Sequence, residues 1–171
     1  ASYNNALTYA DTQFVARMDA DDICEPDKYE KQIHFMNSHP ECIMVGTSAW
    51  HMSSDGNHIG WPIQMPETHD KIINSLLSRR SAMICPTTVA RTSVVKTIGG
   101  YHNWPAEDYE HYFAMGLNGK LANLPDRLYT IRLHNRSVTA NNMIALQKQY
   151  ELIRSQYLPL YVNYTKKHSR H

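Results

Sequence analysis

The chain has 171 residues, of which 42% are hydrophobic and 19% charged, with a formal net charge of +1. Its size fits one globular domain with a real core, and we expect no nucleic-acid partner because the charge is nearly balanced. There is no run of 18 apolar residues, as a membrane-spanning helix needs. Cys24, Cys42 and Cys85 are irregularly spaced, which indicates buried thiols in a reducing compartment and neither a disulfide framework nor a zinc site.

The first predicted elements are the end of a helix, Asn4 to Ala10, and a short strand, Phe14 to Met18. The strand is apolar on both faces, as buried parallel strands are, and Asp19, Asp21 and Asp22 follow it directly. In open α/β sheets, ligands bind at this end of a strand. The three carboxylates repel one another, which favours a site for Mg²⁺ or Mn²⁺. The simpler alternative is a solvated loop in which one Asp caps the next helix.

The residues after this acidic turn exclude an EF-hand loop, because Ile23 and Cys24 stand where that loop needs Asp or Asn and then Gly. Five further elements are predicted next from hydrophobic periodicity and turn residues. They are a helix opened by Glu25-Pro26-Asp27 and ended by His39-Pro40, a strand from Ile43 to Met52, a turn from Ser53 to Asn57, a helix from Pro66 to Ser78, and an extended segment from Ser81 to Arg91 in which Pro86 indicates an edge or a bulge.

The C-terminal half of the chain is predicted to hold three helices and two strands. A short helix from Thr92 ends at Gly99-Gly100, and a second begins at Pro105-Ala106-Glu107-Asp108. Strand alternation in the segment before His134 puts Arg132 and His134 on one face and Tyr129 on the other, apolar face. The remaining predicted elements are strands from Leu121 to Leu124 and from Leu128 to His134, joined through Pro125-Asp126, and a last helix with an apolar stripe from Met143 to Tyr157 that Pro159 ends.

The segment Ala16-Arg17-Met18-Asp19-Ala20-Asp21-Asp22-Ile23, with Pro26 and Gln32 after it, resembles the signature of the family 2 glycosyltransferases. The resemblance covers residues 4–137, and residues 138–171 are a C-terminal helix and tail. It implies an α/β fold of the GT-A type, a mixed sheet flanked by helices. Residues 1–171 would then form a single partial catalytic domain that lacks the N-terminal nucleotide-binding half.

The same resemblance implies an inverting, metal-dependent transfer of a sugar from a nucleotide-diphosphate donor. The acceptor would be a glycan or a lipid-linked glycan, in polysaccharide or lipopolysaccharide synthesis, and the cofactor Mg²⁺ or Mn²⁺. Asp19 and Asp21 would bind the metal diphosphate, with Asp22 in support. Gly99-Gly100-Tyr101 followed by Glu107-Asp108 is similar to the family segment that carries the general base, so Asp108 is the expected catalytic base. The alternative is that these acids only complement the helix dipole.

Three weaker site predictions follow from the resemblance. Ile131-Arg132-Leu133-His134 is similar to a family segment in which the His adds a metal or diphosphate contact and the Arg fixes a loop or a phosphate. A solvated polar face is the alternative. Trp104 and Glu107 are candidate acceptor contacts, since a Trp ring can stack on a sugar. Arg79 and Arg80 either reach a diphosphate or complement the dipole of their helix.

Two other functions stay open. One is a metal-dependent phosphohydrolase with Asp19 as nucleophile, which needs a lysine that the sequence does not place. The other is a non-catalytic sugar-nucleotide-binding module, expected if Asp108 points away from the metal. We expect a cytoplasmic protein, and peripheral contact with the inner face of the membrane is an open alternative. The basic tail, Lys166, Lys167 and Arg170, either touches anionic lipid or is a frayed terminus. Alone, the chain is expected to be inactive and to self-associate through the Phe14–Met18 edge or the Met143–Tyr157 stripe.

Overall fold

The structure, a computed structural model, describes residues 2–80, 82–103, 105–133 and 143–168, with the backbone alone for residues 143–145 and 164–168. The elements in chain order are α1 (Ser2–Thr8), β1 (Phe14–Ala16), β2 (Ile23–Cys24), α2 (Lys28–Ser38), β3 (Cys42–Met52), β4 (His58–Ile63), α3 (His69–Leu77), a 3₁₀ turn (Cys85–Thr87), β5 (Val89–Arg91), α4 (Thr92–Thr97), α5 (Glu107–Gly116), β6 (Lys120–Arg132) and α6 (Met143–His168). Helices and strands alternate along the chain, which makes the fold mixed α/β.

The sheet has six strands in the order β1-β5-β3-β6-β2, with β4 paired to β3 outside this path. β3 and β6 run parallel, and every other pairing is antiparallel. β3 is therefore the central strand, and eight of its residues from Cys42 to Ala49 are buried. The mixed sheet flanked by helices agrees with the predicted GT-A-type class.

Helices cover both faces of this sheet because β3 is apolar on both. Met44 of β3 packs into the larger cluster, formed with α3, α5 and α6, whereas Val45 packs into a smaller cluster against α2. Successive strand residues point to opposite faces, so one apolar run supplies both clusters. The larger cluster includes Ile72, Leu76, Phe113, Leu121 and Ile153.

The strand before the acidic turn differs from its prediction. β1 pairs only with β5 among the described strands, in antiparallel register from Phe14↔Arg91 to Ala16↔Val89. Phe14 and Val15 are half-buried and Ala16 is exposed, so the predicted buried parallel strand is an edge strand in the described sheet. The groove beside β1 is lined by Val15 together with Leu7 of α1, Ala90 of β5 and Val95 of α4.

The two strands predicted around Pro125-Asp126 are a single strand, β6. Leu124 pairs with Thr47 of β3, and Arg127 pairs with the next residue, Ser48, so Pro125 and Asp126 are extra residues in a bulge. Proline lacks an N–H but is compatible with a bulge. Thr130, which strand alternation places on the same face as Arg132, is buried, so this face is not solvated along its whole length. β2 and β3 both pair with β6 at Thr130, so this residue lies inside the sheet with a strand along each edge.

Two proline predictions were wrong. Pro159 lies inside α6, which continues to His168. Ile153 and Tyr161 are buried on the two sides of Pro159, and the Tyr161 hydroxyl donates to the Phe113 carbonyl at 2.8 Å, so tertiary packing outweighs the local helix penalty. Pro86 lies in the 3₁₀ turn Cys85–Thr87 and not in an extended segment, and the strand begins only at Val89.

The remaining predicted elements are confirmed within a few residues, and all three cysteines are free thiols. No helix in the described ranges is long and apolar enough to cross a membrane.

Candidate active site

The acidic turn after β1 is held by hydrogen bonds within the turn and to β6. The Asp22 N–H donates to the Asp19 carbonyl at 3.3 Å, which closes the turn. The Asp19 N–H donates to the hydroxyl of Tyr129 on β6 at 3.1 Å. Asp22 Oδ1 accepts the backbone N–H of Arg132 at 2.8 Å. β6 therefore fixes both ends of the turn, and the support that Asp22 gives to a metal-diphosphate site stays a prediction.

The Arg132 side chain ties this turn to the turn between β3 and β4. Its Nε donates to the Asp21 carbonyl at 2.9 Å, and its Nη1 donates to the Ser54 carbonyl at 2.9 Å and the Ser53 carbonyl at 3.4 Å. Of the two roles predicted for Arg132, these contacts are those of an arginine that fixes a loop. A phosphate contact stays a prediction.

Lys28 is fully buried at the start of α2, beside Tyr29 and Tyr129. Its Nζ sits over the rings of Tyr29 at 4.3 Å and Tyr129 at 5.2 Å and has no hydrogen-bond partner in the described chain. Burial lowers the pKa of Lys28 to about 8. The same tyrosine therefore receives the Asp19 N–H on its hydroxyl and a lysine ammonium on its ring face.

Arg17 connects the acidic turn to the start of α5. It stands two residues before Asp19, and its Nη2 lies 3.5 Å from Glu107 Oε1, with both side chains at least two-thirds buried. The guanidinium also lies 3.9 Å from the ring centre of Tyr3 and 5.3 Å from that of Tyr101. Two aromatic rings thus fix the orientation of a largely buried arginine.

The Gly99-Gly100-Tyr101 segment builds one wall of this arrangement. Asn4 of α1 donates from Nδ2 to the Tyr101 carbonyl at 2.7 Å and accepts the Tyr101 N–H on Oδ1 at 2.9 Å. Gly100 has φ +76°, and a Cβ there would collide with Asn4 Oδ1, so only glycine allows this approach. The Tyr101 ring stacks on His111 of α5 at 4.0 Å. These contacts hold α1, the loop and α5 together around Arg17.

Asp108 lies in the first turn of α5, on a different side from Glu107. Its Oδ1 accepts the N–H of Tyr109 at 2.8 Å. Its side chain lines a cavity of about 190 Å³ formed also by Leu76, Arg79, Arg80, Ala82, Met83, Tyr109, Tyr112 and Tyr150. Glu107 forms an ion pair with Arg17, whereas Asp108 lines this cavity. The two neighbouring acids therefore have different surroundings.

Burial is the main influence on both key carboxyls. It raises the pKa of Asp108, as does Glu107, while the neighbouring N–H of Tyr109 and then Arg17 lower it. Burial also raises the pKa of Asp19; Arg17 opposes this, and Asp22, Asp21 and Glu107 add to it. Arg17 is the positive charge common to both carboxyls, so the two parts of the site share one electrostatic environment.

The described residues contain no group of three or more His, Cys, Asp or Glu that could hold a metal ion by themselves. Mg²⁺ is usually bound by one or two carboxylates together with substrate phosphates and waters. Asp19 and Asp21 meet that requirement in number and in donor type. The raised pKa of Asp19, due to burial and to neighbouring carboxylates, shows a negative cluster that a cation would stabilise. The residues present therefore fit a divalent cation that enters with a diphosphate.

Two predicted site residues, His134 and Trp104, lie outside the described residues. Sequence reasoning missed the roles of Arg17 and Tyr129. Arg17 was part of the quoted motif, but nothing in the sequence pairs it with Glu107, 90 residues away. Tyr129 was assigned to an apolar face, although a tyrosine in a buried strand normally needs a partner for its hydroxyl, and that was a usable signal.

Comparisons with known proteins identify the family of the chain. The sequence model described as "Glycosyl transferase family 2" matches residues 1–141. An uncharacterized glycosyltransferase of Haemophilus influenzae is 32% identical over 90% of this chain and 58% of its own length. The amylovoran biosynthesis glycosyltransferase AmsE of Erwinia amylovora is 29% identical, over 90% and 55% of the two chains.

A third relative is the Escherichia coli UDP-Glc:alpha-D-GlcNAc-diphosphoundecaprenol beta-1,3-glucosyltransferase WfaP, which is 28% identical over 89% of this chain and 58% of its own length. The chain spans a little over half the length of these three curated relatives. The family match covers most of the chain and includes both the acidic turn and the start of α5. The chain belongs to glycosyl transferase family 2.

Proposed function

We propose that this chain supplies the metal-diphosphate site and the general base of an inverting glycosyltransferase. The reaction transfers a sugar from a nucleotide-diphosphate donor to a hydroxyl of a glycan or lipid-linked acceptor. The observation that carries the proposal is the Arg17–Glu107 ion pair, since it joins the acidic turn to the helix that bears Asp108. A metal-diphosphate site and a base on opposite sides of the reacting carbon are what single displacement needs.

Asp108 would accept the proton of the acceptor hydroxyl as the new glycosidic bond forms. Its carboxyl is accessible from the cavity, and its raised pKa makes it a stronger base than an ordinary Asp. Glu107, held by Arg17, would orient the first turn of α5 rather than exchange a proton. The buried surroundings strengthen each of these charge interactions.

Asp19 and Asp21 would hold Mg²⁺ or Mn²⁺ with the donor diphosphate, and Asp22 and Arg132 would fix the turn. When bound, the cation neutralises the charge that develops on the leaving diphosphate. The Asp19 N–H donates to the Tyr129 hydroxyl, and the Arg132 N–H donates to Asp22 Oδ1. These two hydrogen bonds would keep the turn in one conformation before the donor arrives. His134 and Trp104 stay proposed contacts to the metal diphosphate and the acceptor.

The phosphohydrolase alternative lacks a comparable observation. It needs a lysine to balance an aspartyl-phosphate at Asp19, and the buried lysine beside Tyr129 is Lys28. Its Nζ contacts two aromatic faces and makes no hydrogen bond in the described chain. We therefore keep the transferase as the proposed function.

The names of the relatives suggest the setting of the reaction. WfaP uses UDP-Glc and a diphosphoundecaprenol-linked acceptor, and AmsE acts in amylovoran biosynthesis. We infer a role in bacterial surface polysaccharide or lipopolysaccharide synthesis, at the cytoplasmic face of the membrane where lipid-linked acceptors are presented. The whole enzyme would include a nucleotide-binding half, and this chain alone is expected to have no turnover.

Manganese titration of the full-length protein, followed by NMR, tests the metal site. Paramagnetic broadening should begin at Asp19 to Asp22 and become stronger when UDP is added, because the diphosphate completes the coordination. The variant Asp19→Asn should lose this broadening. Asp55→Asn is the matched control, since Asp55 is an exposed carboxylate in the β3–β4 turn. Broadening centred on His51 and His58 would end the assignment.

A further inference from the structure

The cavity beside Asp108 has two arginines in its wall. Arg79 and Arg80 follow the last turn of α3, and Asp108 and Tyr109 face them from α5. Tyr150 of α6 and Met83 complete the wall. We call this space of about 190 Å³ the arginine cavity. The proposed donor site is at the acidic turn, so the arginines lie on the side of the proposed base.

Arg79 occupies a backbone position that normally favours glycine. It has φ +56°, its N–H donates to the Leu76 carbonyl at 2.9 Å, and the Arg80 N–H donates to the Ser75 carbonyl at 2.8 Å. Helices commonly end with such a left-handed residue, usually Gly because any Cβ is strained there. Strained residues of this kind cluster at functional sites. The helix end would form better with glycine, so the arginine side chain needs another explanation.

The charges around the arginine cavity leave an excess of positive charge. Arg79 Nη1 pairs with Glu151 Oε1 of α6 at 2.7 Å, and both side chains are more than half exposed. Arg154 of α6 donates from Nε to the Leu77 carbonyl at 2.6 Å. Arg80 is exposed, and no hydrogen bond or ion pair of its guanidinium is seen within the described ranges. Among the residues that line the cavity, two arginines, Arg79 and Arg80, stand against one carboxylate, that of Asp108.

We propose that the arginine cavity binds a phosphate or diphosphate group of the acceptor, with Arg79 and Arg80 as its ligands. The proposal rests on the proposed function, because it takes Asp108 as the residue that meets the acceptor hydroxyl. An anion held by the arginines and a hydroxyl held at Asp108 would fix the two ends of one sugar residue. Arginine suits this role because its planar guanidinium binds phosphate oxygens in a bidentate manner. The acceptor class is therefore a sugar carried on a phosphate or diphosphate.

Binding of inorganic pyrophosphate to the full-length protein tests this subsite without turnover. Metal-free protein is titrated and followed by NMR of the arginine Nε–H groups and of Met83. Saturable shifts at Arg79, Arg80 and Met83 are expected. Arg80→Ala and Arg79→Gly should each weaken binding by about tenfold, as the loss of one charge-assisted contact does. Arg127→Ala is the matched control, an exposed arginine on β6, and should bind as the wild type does.

Two further measurements separate the explanations. Arg79→Gly should keep or raise the thermal midpoint, because it relieves the left-handed strain and removes only an exposed ion pair; a clear fall would mean that Arg79 is structural. Pyrophosphate shifts should persist with saturating UDP and Mg²⁺. If UDP and Mg²⁺ abolish them, the arginines belong to the donor diphosphate and the acceptor proposal is overturned. Unchanged pyrophosphate binding in both arginine variants overturns it as well. Neither result depends on Asp108 acting as a base.

Discussion

The acidic turn and the start of α5 hold the two proposed halves of the site in opposite ways. Asp21 is exposed, Asp19 and Asp22 are half-buried, and backbone groups of β6 and the Tyr129 hydroxyl fix their turn. Asp108 instead lies in a cavity wall among three tyrosines, and burial raises its pKa. The turn suits a ligand that arrives with its own charges and waters. The cavity suits a base whose proton affinity must be set in advance.

The difference shows how one chain meets two electrostatic needs with the same residue type. A cation site needs carboxylates that stay ionised; burial raises the pKa of Asp19 as well, and the nearby Arg17 opposes that rise. A general base needs a raised proton affinity, and burial provides this at a cost in stability. Arg17 moderates both, because it lowers the pKa of Asp19 and of Asp108.

The largest expected effect is that of Asp108→Asn. Turnover of the full-length enzyme should fall roughly 10²–10⁴-fold with donor binding retained, because the amide cannot accept the proton. Steady-state kinetics and a separate UDP-binding measurement check this. The matched control is Asp70→Asn, since Asp70 is an exposed acid in the first turn of α3. If both variants are equally active, Asp108 only complements a helix dipole.

The same variant also predicts a gain in stability. In the folded chain the pKa of Asp108 is raised, which favours the protonated carboxyl. In the unfolded chain the pKa of this carboxyl is about 4, so the group destabilises the fold as the pH rises above about 4. Asp108→Asn should therefore unfold at a higher urea concentration than the wild type at pH 7. At pH 3, where the carboxyl is protonated in both states, the gain should largely vanish.

The second effect concerns Arg17→Gln. Loss of this charge should raise the pKa of Asp108 further, so the acid limb of the kcat–pH profile moves to higher pH and turnover on that limb falls. Arg17→Lys keeps a positive charge, so its acid limb should lie between those of the wild type and of Arg17→Gln. Arg91→Gln serves as a structural control, because the Arg91 guanidinium donates to the carbonyls of Cys42 and Met36 and lies over the Phe14 ring. An unmoved acid limb in Arg17→Gln would show that the two halves are not coupled.

The smallest effect is on stability alone. Burial lowers the pKa of Lys28 to about 8, so the folded chain binds a proton there less readily than the unfolded chain. At pH 7 the buried ammonium is a cost, and Lys28→Met should raise the free energy of unfolding by about 1–3 kcal/mol. The difference in free energy of unfolding between Lys28→Met and the wild type should decrease as the pH rises from about 8 toward 10.5, because folded wild-type protein then loses the Lys28 proton and becomes more stable.

Urea denaturation at pH 7 and pH 10 measures this difference. Lys31→Met, at an exposed position on the same helix, should change stability by less than about 1 kcal/mol. A Lys28→Met chain that is less stable at both pH values would mean that the contacts with the Tyr29 and Tyr129 rings outweigh the desolvation of the ammonium.

Much of the fold could be predicted because its elements carry local signals. α3 has a strong apolar face and β3 a continuous apolar run, and both were predicted within a few residues. The errors occurred where tertiary packing overrode the local structural preference of a residue. Pro159 stays inside α6 because Ile153 and Tyr161 anchor the helix on either side, and Pro125-Asp126 is absorbed as a bulge because β3 continues beside it.

The sequence by itself determined the family and the site candidates, since the acidic motif and the Gly-Gly-Tyr segment with Glu107-Asp108 are short, local patterns. Only the tertiary structure decided which groups meet them. Arg17 pairs with Glu107 across 90 positions, Tyr129 reaches Asp19 across 110, and Arg79 faces Asp108 from a different helix. Such contacts depend on how strands and helices pack against one another, and no pattern within a single segment encodes that packing.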